Sequence, residues 1–169
     1  MTAEIEFVYE MLTRALCGKP NVIFKVPGTR ASLEVVRRVT AEGIGVNITV
    51  NFSVSQCEAF ASVIEAGIAD QSFVTIMAGR LDSPVGEELA AKGIAQSGTL
   101  CRYASRLVTR RVYQQIMLAR KYRRVEILVA SLRGPWNISA SIADSPDSRI
   151  IISSFPDKAE EYDRLGRQA

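Results

Sequence analysis

The sequence has 169 residues, which is long enough for one domain with a hydrophobic core. Hydrophobic residues make up 47% and charged residues 23%, as in an ordinary globular protein, and no apolar run reaches the roughly 20 residues of a membrane span. There is no histidine, which excludes Ser-His and Cys-His nucleophile pairs, histidine general bases and the HExxH zinc site. The net charge of +3 suits anionic metabolites and does not by itself indicate nucleic acid.

The cysteines and the amino terminus predict where the protein is found. Cys17, Cys57 and Cys101 are odd in number and widely spaced, a pattern typical of reduced thiols in a cytosol. The first six residues are acidic and lack the basic and apolar regions of a signal peptide. We therefore expect a cytoplasmic protein that has no membrane partner. Because the chain lacks histidine and its cysteines are scattered, we expect neither a metal nor a cofactor.

Residue spacing predicts helices and strands in alternation. Apolar residues three and four positions apart predict helices, whereas short apolar or alternating runs predict strands. The predicted helices cover residues 3–16, Thr29 or Ser32 to Gly43, 55–65, 84–92, 100–123, 138–143 and 157–165. The predicted strands cover residues 21–26, 45–53, 72–78, 125–133 and 149–154. Strands that alternate with helices form parallel βαβ units, so we predict an α/β fold with about five parallel strands.

The first predicted strand carries a lysine near its end. Residues 21–26 form a short apolar run around Lys25, followed by Pro27-Gly28, and such a run is typical of a buried strand. Burying an ammonium group is costly unless it is paired or neutralised, and a desolvated lysine becomes an amine that can form a Schiff base. The alternative is a strand-end lysine whose ammonium reaches water. The strand alone favours this alternative, whereas the residues that follow favour the nucleophile.

The second predicted strand alternates polar and apolar residues. Its polar residues would share one face: Asn47, Thr49, Asn51 and Ser53. Its apolar residues would share the other face: Ile48, Val50 and Phe52. This pattern suits an edge strand with a wet polar face, and it also suits a barrel strand whose polar face lines a site. The flanking helices favour the second interpretation.

Polar side chains that suit imine chemistry lie on predicted strands or at strand ends. They are Lys25, Asn47, Thr49, Arg80, Ser131 and Arg133. An imine-forming lysine needs amides and hydroxyls that orient the substrate, and a cation that holds any phosphate tail. Barrels of this class keep their active sites at the carboxyl ends of the strands. The set therefore predicts a lysine-dependent site at that end of the sheet.

Several segments resemble the transaldolases and their fructose-phosphate aldolase relatives, which are class I Schiff-base enzymes. The segments are Phe24–Thr29, Glu42–Thr49, Phe52-Ser53 with Gln56, Gly79–Asp82 and Val129–Arg133, and the resemblance runs from about residue 5 to 155. It implies a TIM-type (β/α) barrel, so the expected fold becomes a partial barrel of about five strands. No cofactor is implied.

The resemblance also implies roles for individual residues. Lys25 would be the Schiff-base lysine, and Asn47 and Thr49 would contact the bound dihydroxyacetone unit or the catalytic water. Thr75 would bind substrate at a position where the family usually has a serine. The implied phosphate-binding set consists of Arg80, Ser131 and Arg133. The implied substrate is a sugar phosphate.

Three strands that precede the lysine strand in the family are not visible here, where only a helix precedes it. The family's acid/base aspartate lies on those strands, and Glu126 and Asp82 are near the site in pattern only. We therefore expect residues 1–169 to form a single transaldolase-like domain, the C-terminal part of a barrel. Five parallel strands cannot close such a barrel alone, so we expect a homo-oligomer or a chain that completes it.

A cluster of basic residues gives a competing signal. Its members are Arg102, Arg106, Arg110, Arg111, Arg120, Lys121, Arg123 and Arg124. A helix this basic can dock on nucleic acid, but no nucleic-acid motif accompanies it and acidic residues elsewhere keep the net charge low. We therefore interpret the cluster as a solvated helix face and do not expect a nucleic-acid partner.

Two functions follow from these observations. The first is a transaldolase-like enzyme that transfers or cleaves a dihydroxyacetone unit of sugar phosphates through a Schiff base, in pentose phosphate and carbohydrate metabolism. The alternative is a truncated relative with little or no catalytic activity that acts as a sugar-phosphate-binding or assembly module. Proton transfer contributes roughly 10²–10⁴-fold to catalytic rates, so the lack of a recognisable acid/base residue separates the two.

Overall fold

Strands and helices alternate along the residues that the computed structural model describes, which are 3–16, 21–143 and 150–166. The strands are β1 (Phe24–Pro27), β2 (Val46–Asn51), β3 (Ser72–Met77), β4 (Val125–Ala130) and β5 (Ile150–Ile152). The helices are α1 (Ala3–Leu16), α2 (Ser32–Ala41), α3 (Val54–Glu65), α4 (Asp82–Ala91), α5 (Ser97–Leu100), α6 (Arg102–Tyr113), α7 (Pro135–Ala143) and α8 (Pro156–Gly166). A 3₁₀ turn over Ala78–Arg80 follows β3, and a π-helical segment over Gln114–Leu118 extends α6.

The five strands form one parallel sheet in the order β1-β2-β3-β4-β5. Each strand therefore lies beside its neighbour in sequence, and a helical segment connects each pair, as in consecutive βαβ units. This arrangement confirms the predicted α/β fold and is consistent with a partial TIM-type barrel. Among the described strands, β1 and β5 each pair on one side only.

One face of the sheet, the helix-covered face, carries the core. Its strand residues are fully buried: Val46, Ile48, Val74, Ile76, Ile127 and Val129. They pack with apolar residues of the connecting helices in one cluster that includes Val36 and Val39 of α2, Phe60 and Ile64 of α3, and Val112 of α6. Burying an apolar side chain contributes about 1.5–3 kcal/mol, so this layer provides most of the driving force for folding.

The other face, the open face, carries the alternate residues of the same strands. On β4 burial alternates strictly, and Glu126, Leu128 and Ala130 are partly exposed between fully buried neighbours. Asn47 of β2 and Phe73 of β3 are likewise half-buried. Successive side chains of a strand point to opposite faces, so strand parity decides which residues enter the core.

The interpretation of the lysine strand as a buried strand is wrong. β1 begins at Phe24 rather than at residue 21, and both Lys25 and Pro27 are exposed. The reason is that β1 is an edge strand, which pairs only with β2 among the strands that the structure describes. Proline has no N–H to donate to a second neighbour and is typical of such an edge.

Three other elements end at different residues from those predicted from the sequence. The predicted helix over residues 100–123 is divided into α5, α6 and the π-helical segment, which ends at Leu118. The predicted fourth strand ends at Ala130, because Ser131 adopts a left-handed conformation with φ of 59°. The predicted fifth strand is reduced to Ile150–Ile152, and residue 149 lies outside the described residues.

Cys57 and Cys101 are free, buried thiols, whereas Cys17 lies outside the described residues. In the part of the chain that the structure describes, every helix is too short or too polar to cross a bilayer. The same residues contain no group of three or more histidine, cysteine, aspartate or glutamate side chains placed to hold a metal ion.

Candidate active site

Lys25 lies in a pocket of about 250 Å³ on the open face, which we call the Lys25 pocket. In the sheet register Lys25 stands directly beside Asn47, and Pro27 stands beside Thr49. Four further residues with predicted site roles line the same pocket: Asn47, Thr49, Thr75 and Ser131. The fold thus brings together five polar side chains that the sequence predicts, from strands β1, β2 and β3 and from the position directly after β4.

Asn47 and Thr75 form the polar floor of the pocket. The Thr75 hydroxyl donates to Asn47 Oδ1 at 2.6 Å, and Thr75 is only 3% exposed. With its oxygen engaged, the Asn47 side chain is held in one orientation. Its amide nitrogen has no protein partner among the described residues, so it can donate to the oxygen of a bound carbonyl compound.

The hydroxyls of Thr49 and Ser131 lie on either side of Met77. Thr49 Oγ1 is 3.6 Å from Met77 Sδ, and Ser131 Oγ is 3.8 Å from the same sulfur. A thioether is a weak acceptor, so neither hydroxyl is strongly committed within the protein. Both can rotate to serve a ligand in the pocket.

The strict alternation predicted along the second strand is wrong after Ile48, because β2 contains a β-bulge there. The register between β2 and β3 shifts between Ile48 and Asn51, and Val50 has φ of 63°, which is rare for a β-branched residue. The bulge exposes Val50 and turns Asn51 into the interior, where it is fully buried. Asn51 therefore does not share the site face with Asn47 and Thr49.

Asn51 instead links strands β2 and β3 through hydrogen bonds on the buried side of the sheet. Its side-chain nitrogen donates to the backbone oxygens of Ile48 and Thr75, each at 2.9 Å, while its Oδ1 is buried without a partner among the described residues. Gly28 lies against it: a Cβ at Gly28 would stand 2.3 Å from Asn51 Oδ1. Gln56 connects the loop after β1 to β2, because its side-chain nitrogen donates to the backbone oxygens of Gly28 and Val50.

The two predicted phosphate-binding arginines do not line the Lys25 pocket. Arg80 ends the 3₁₀ turn after β3, and Arg133 follows β4; both are exposed. Arg133 Nη1 donates to the backbone oxygen of Ser131 at 3.5 Å, and Gly79 packs closely on Ser131 and Arg133. The backbone thus brings the arginine-bearing segments to the carboxyl ends of β3 and β4, and the phosphate role of the arginines stays a prediction.

Six lining residues were not predicted: Met77, Leu128, Ala130, Ser153, Ser154 and Phe155. Leu128 and Ala130 alternate with buried residues on β4, so strand parity could have placed them on the open face. The last three follow β5 in a connection without periodic pattern. Phe155 is 70% exposed at the pocket, and no sequence signal distinguished it from an ordinary loop residue.

No carboxylate lines the Lys25 pocket among the described residues. Glu126 shares the open face and stands in the row of register partners Lys25, Asn47, Phe73 and Glu126, three strands from the lysine. Adjacent strands lie about 4.8 Å apart, so Glu126 is beyond direct proton-transfer distance. Asp82 is buried and accepts hydrogen bonds from Trp136 and Ser105 elsewhere.

Comparison with known proteins shows which family this sequence resembles. The family model for transaldolase/fructose-6-phosphate aldolase matches residues 9–145. The transaldolase of Thiobacillus denitrificans is 28% identical over 111 residues, which are 59% of this chain and 31% of the relative. The transaldolase of an Arthrobacter species is 27% identical over 123 residues, 66% of this chain and 32% of the relative. A probable transaldolase of Herpetosiphon aurantiacus is 29% identical over 123 residues, 72% and 44% respectively.

The matches cover most of this chain but only part of each relative. The chain spans about a third of the length of the first two curated relatives and under half of the third. Because the family model covers well over half of the residues, from before the lysine strand to the end of α7, the assignment does not depend on a single motif. The chain belongs to the transaldolase/fructose-6-phosphate aldolase family.

Proposed function

We propose that this protein forms an imine between Lys25 and the carbonyl carbon of a sugar phosphate. The observation that supports the proposal is the shared pocket: Lys25 stands beside Asn47 in the sheet register and lines one pocket with Thr49, Thr75 and Ser131. The amide and hydroxyls can bind the oxygens of a dihydroxyacetone unit, and Arg80 and Arg133 can reach a phosphate at the carboxyl ends of β3 and β4. An exposed lysine is also accessible to a substrate from solution.

The proposed chemistry is that of a class I aldolase. The neutral amine of Lys25 attacks the carbonyl carbon, a C–N bond forms, and the carbonyl oxygen leaves as water after two protons reach it. The resulting iminium accepts the electron pair of the adjacent carbon–carbon bond when that bond breaks. A base must remove the proton of the neighbouring hydroxyl in that step. The pocket lining supplies hydroxyls and an amide for orientation, and the base is the part that it lacks among the described residues.

Reductive trapping tests the imine directly. Borohydride reduces an imine to a stable secondary amine, so treatment with fructose 6-phosphate should add the reduced sugar phosphate to Lys25, as mapped by mass spectrometry. The variant Lys25→Met should lose the adduct. The matched control Lys92→Met removes another exposed lysine, which pairs with Glu88 on α4, and should leave trapping unchanged. Equal adducts in wild type and Lys25→Met would overturn the proposal.

A second function, a sugar-phosphate-binding module with little turnover, is favoured by the lack of a carboxylate among the described residues that line the Lys25 pocket. It predicts normal trapping at Lys25 with negligible release of the cleaved product, even at high protein concentration. Turnover that requires only this chain would contradict it. Trapping and product release are measured on the same samples, so the two functions are separated without a further variant.

We also propose that residues 1–169 act as one transaldolase-like domain whose sheet is extended by a second copy or by another chain that completes the barrel. Among the described strands β1 and β5 each pair on one side only, which supports this proposal because exposed strand edges associate readily. Light scattering on the purified chain should give at least twice the mass of one chain, and Ile151→Lys on β5 should reduce it. A monodisperse single chain at high concentration would contradict self-association.

A further inference from the structure

The two predicted phosphate-binding arginines stand at equivalent positions beyond a pair of neighbouring strands. The register between β3 and β4 ends where Met77 stands beside Ala130. Arg80 and Arg133 each follow three residues later, at the carboxyl ends of these strands. Among the described residues, strand pairing no longer fixes the distance between the two segments at this point. Their spacing must therefore depend on contacts outside the sheet.

A chain of buried hydrogen bonds connects the two segments. Asp82, two residues after Arg80, accepts from the Ser105 hydroxyl through Oδ1 at 3.1 Å. The Ser105 oxygen accepts from Asn137 Nδ2 at 3.3 Å, and Asn137 Oδ1 accepts from the backbone nitrogen of Arg133 at 2.9 Å. We call Asp82, Ser105 and Asn137 the Asp82 network. Each of the three is at most 6% exposed, so water does not compete for these hydrogen bonds.

Two further contacts hold the same segments together. Trp136 Nε1 donates to Asp82 Oδ2 at 3.0 Å, so both carboxyl oxygens of Asp82 are engaged. Gly79 packs directly on the segment after β4: a Cβ at this position would stand 2.3 Å from the backbone oxygen of Ser131 and 2.8 Å from the backbone nitrogen of Arg133. Any side chain at Gly79 would push the two segments apart. Their close approach therefore depends on both side-chain and backbone contacts.

The Asp82 network is better suited to fixing a geometry than to adding stability. Each of its polar side-chain atoms has a hydrogen-bond partner in the protein. Fully paired buried polar groups contribute modestly to net stability, but they restrict the chain to one arrangement. Apolar side chains can fill a core without specifying it so closely. A phosphate site needs such precision, because guanidinium groups bind phosphate through N–H groups of fixed direction.

We propose that the Asp82 network positions the two arginines for the phosphate group of the substrate. It fixes the backbone spacing of Arg80 and Arg133 so that both guanidinium groups can bind one phosphate. Its three members act as positioning residues, since none of them lines the Lys25 pocket. This inference rests on the proposed function, in which a phosphorylated sugar enters that pocket and these arginines hold its phosphate. It adds that residues outside the pocket set the preference for phosphorylated sugars.

The preference for a phosphorylated sugar measures this role. Fructose 6-phosphate and fructose share the carbonyl group and differ in the phosphate. Borohydride trapping at Lys25 gives a half-saturating concentration for each sugar, and the ratio of the fructose value to the fructose 6-phosphate value is the phosphate preference. Ser105→Ala removes the central hydroxyl of the network and should lower this ratio at least about fivefold, with little change in trapping at saturation. Unfolding alone would reduce the amount trapped and leave the ratio unchanged.

Two further variants make the measurement specific. Ser141→Ala is the matched control: Ser141 is a buried serine, 3% exposed, that donates within α7 to the backbone oxygen of Asn137. It should leave the phosphate preference unchanged. Trp136→Phe keeps an aromatic ring, removes the N–H that binds Asp82 and should lower the preference. An unchanged preference in folded Ser105→Ala or Trp136→Phe would overturn the inference, as would an equal loss in Ser141→Ala.

Removing the arginines tests whether the network acts through them. Arg80→Gln and Arg133→Gln should each lower the phosphate preference, because each removes a guanidinium that binds the phosphate. In the variant that carries both substitutions, Ser105→Ala should cause no further loss, since mutations that act through one shared contact are not additive. A further loss would show that the hydroxyl acts by another route and would contradict the inference.

Equilibrium binding by Lys25→Met separates this inference from the proposed function. No imine forms without the amine, so calorimetric titration with fructose 6-phosphate reports on the noncovalent contacts alone. Adding Ser105→Ala should weaken the binding of fructose 6-phosphate at least about fivefold and leave that of fructose unchanged. This result without any trapping by the wild type would refute the imine and support the positioning role. Trapping by the wild type with an unchanged phosphate preference in Ser105→Ala would support the imine and refute the positioning role. If fructose 6-phosphate does not bind at all, both fail.

Discussion

The two faces of the sheet use alternate residues of the same strands and differ in almost every physical property. The helix-covered face buries Ile48, Ile76 and Ile127 completely. The open face carries Lys25, which is exposed, and polar groups such as Asn47 whose hydrogen-bonding capacity is only partly used. The comparison shows that one-residue parity separates the groups that stabilise this fold from those that can act on a ligand. Substitutions on the two faces should therefore affect different measurements.

The largest effect on stability is expected from Ile76→Ala on the helix-covered face. Removing a fully buried isoleucine side chain leaves a cavity, and such changes cost about 2–5 kcal/mol. Leu128→Ala, on the open face of the adjacent strand, should cost less than half as much because Leu128 is partly exposed. Urea denaturation followed by circular dichroism measures both. Equal losses would show that the open face is covered in solution.

The next largest loss of stability is expected from Gly28→Ala. The added Cβ would stand 2.3 Å from Asn51 Oδ1 and 3.0 Å from the backbone oxygen of Thr49, so the loop after β1 must shift. We expect a loss of about 1–3 kcal/mol and weaker trapping at Lys25, three residues away. Gly98→Ala is the control, since nothing lies within 4 Å of its Cβ position. A Gly28→Ala protein as stable as wild type would contradict the close packing of Gly28 against Asn51.

The buried side also contains a group whose protonation is coupled to folding. Burial raises the pKa of the Cys57 thiol to about 12 from the ordinary value of 9.0. Above about pH 9 the native state therefore keeps a proton that the unfolded chain loses, so this contribution to stability falls as the pH rises toward 12.

The coupling predicts a difference between wild type and Cys57→Ala. Between pH 9 and 10 the wild type should lose about 1 kcal/mol more stability than Cys57→Ala, which has no thiol to ionise. Urea denaturation at pH 7, 9 and 10 measures the difference, and the pH 7 values remove the effect of the cavity itself. The same pH dependence of stability in the two proteins would show that folding does not raise the pKa of the Cys57 thiol.

The smallest effect on stability is expected at two residues with left-handed backbone conformation. Ser131 lines the Lys25 pocket and Val50 does not. Val50 and Ser131 have φ of 63° and 59°, and glycine adopts this conformation without steric cost. Val50→Gly and Ser131→Gly should each stabilise the protein by about 0.5–1 kcal/mol. Only Ser131→Gly removes a hydroxyl from the Lys25 pocket, so only it should reduce trapping. Destabilisation by Val50→Gly would show that its contacts outweigh the strain.

The order and type of the elements could be predicted because they depend on local spacing. Alternating helices and strands predict a parallel sheet, and Asn47 and Thr49 on one strand could be assigned to one site from parity, whereas Thr75 is included through the family resemblance. Ser131 is included as a polar residue near the end of the predicted fourth strand, although the structure places it just after β4. For Asn47, Thr49 and Ser131 the position relative to the strand end is visible in the sequence.

The sequence left two interpretations of Lys25 open, buried or reaching water, and the burial of Asn51 could not be predicted from it. Lys25 is exposed because β1 has one neighbour, which is a property of the sheet and not of residues 21–26. Asn51 is buried because one left-handed residue, Val50, reverses the parity of everything after it. Arg80 and Arg133 lie beyond strand ends, where no period constrains the direction of a side chain, and they do not line the pocket.

The unpaired sides of β1 and β5 also restrict the symmetry of any assembly formed through them. Because all five strands are parallel, a second copy that pairs its β1 with β5 of the first continues the sheet in one direction. Such a contact joins two different surfaces and is heterologous. Repeated addition then either closes into a ring with a fixed number of copies or grows into an open fibre, and a short β5 limits how firmly each copy is held.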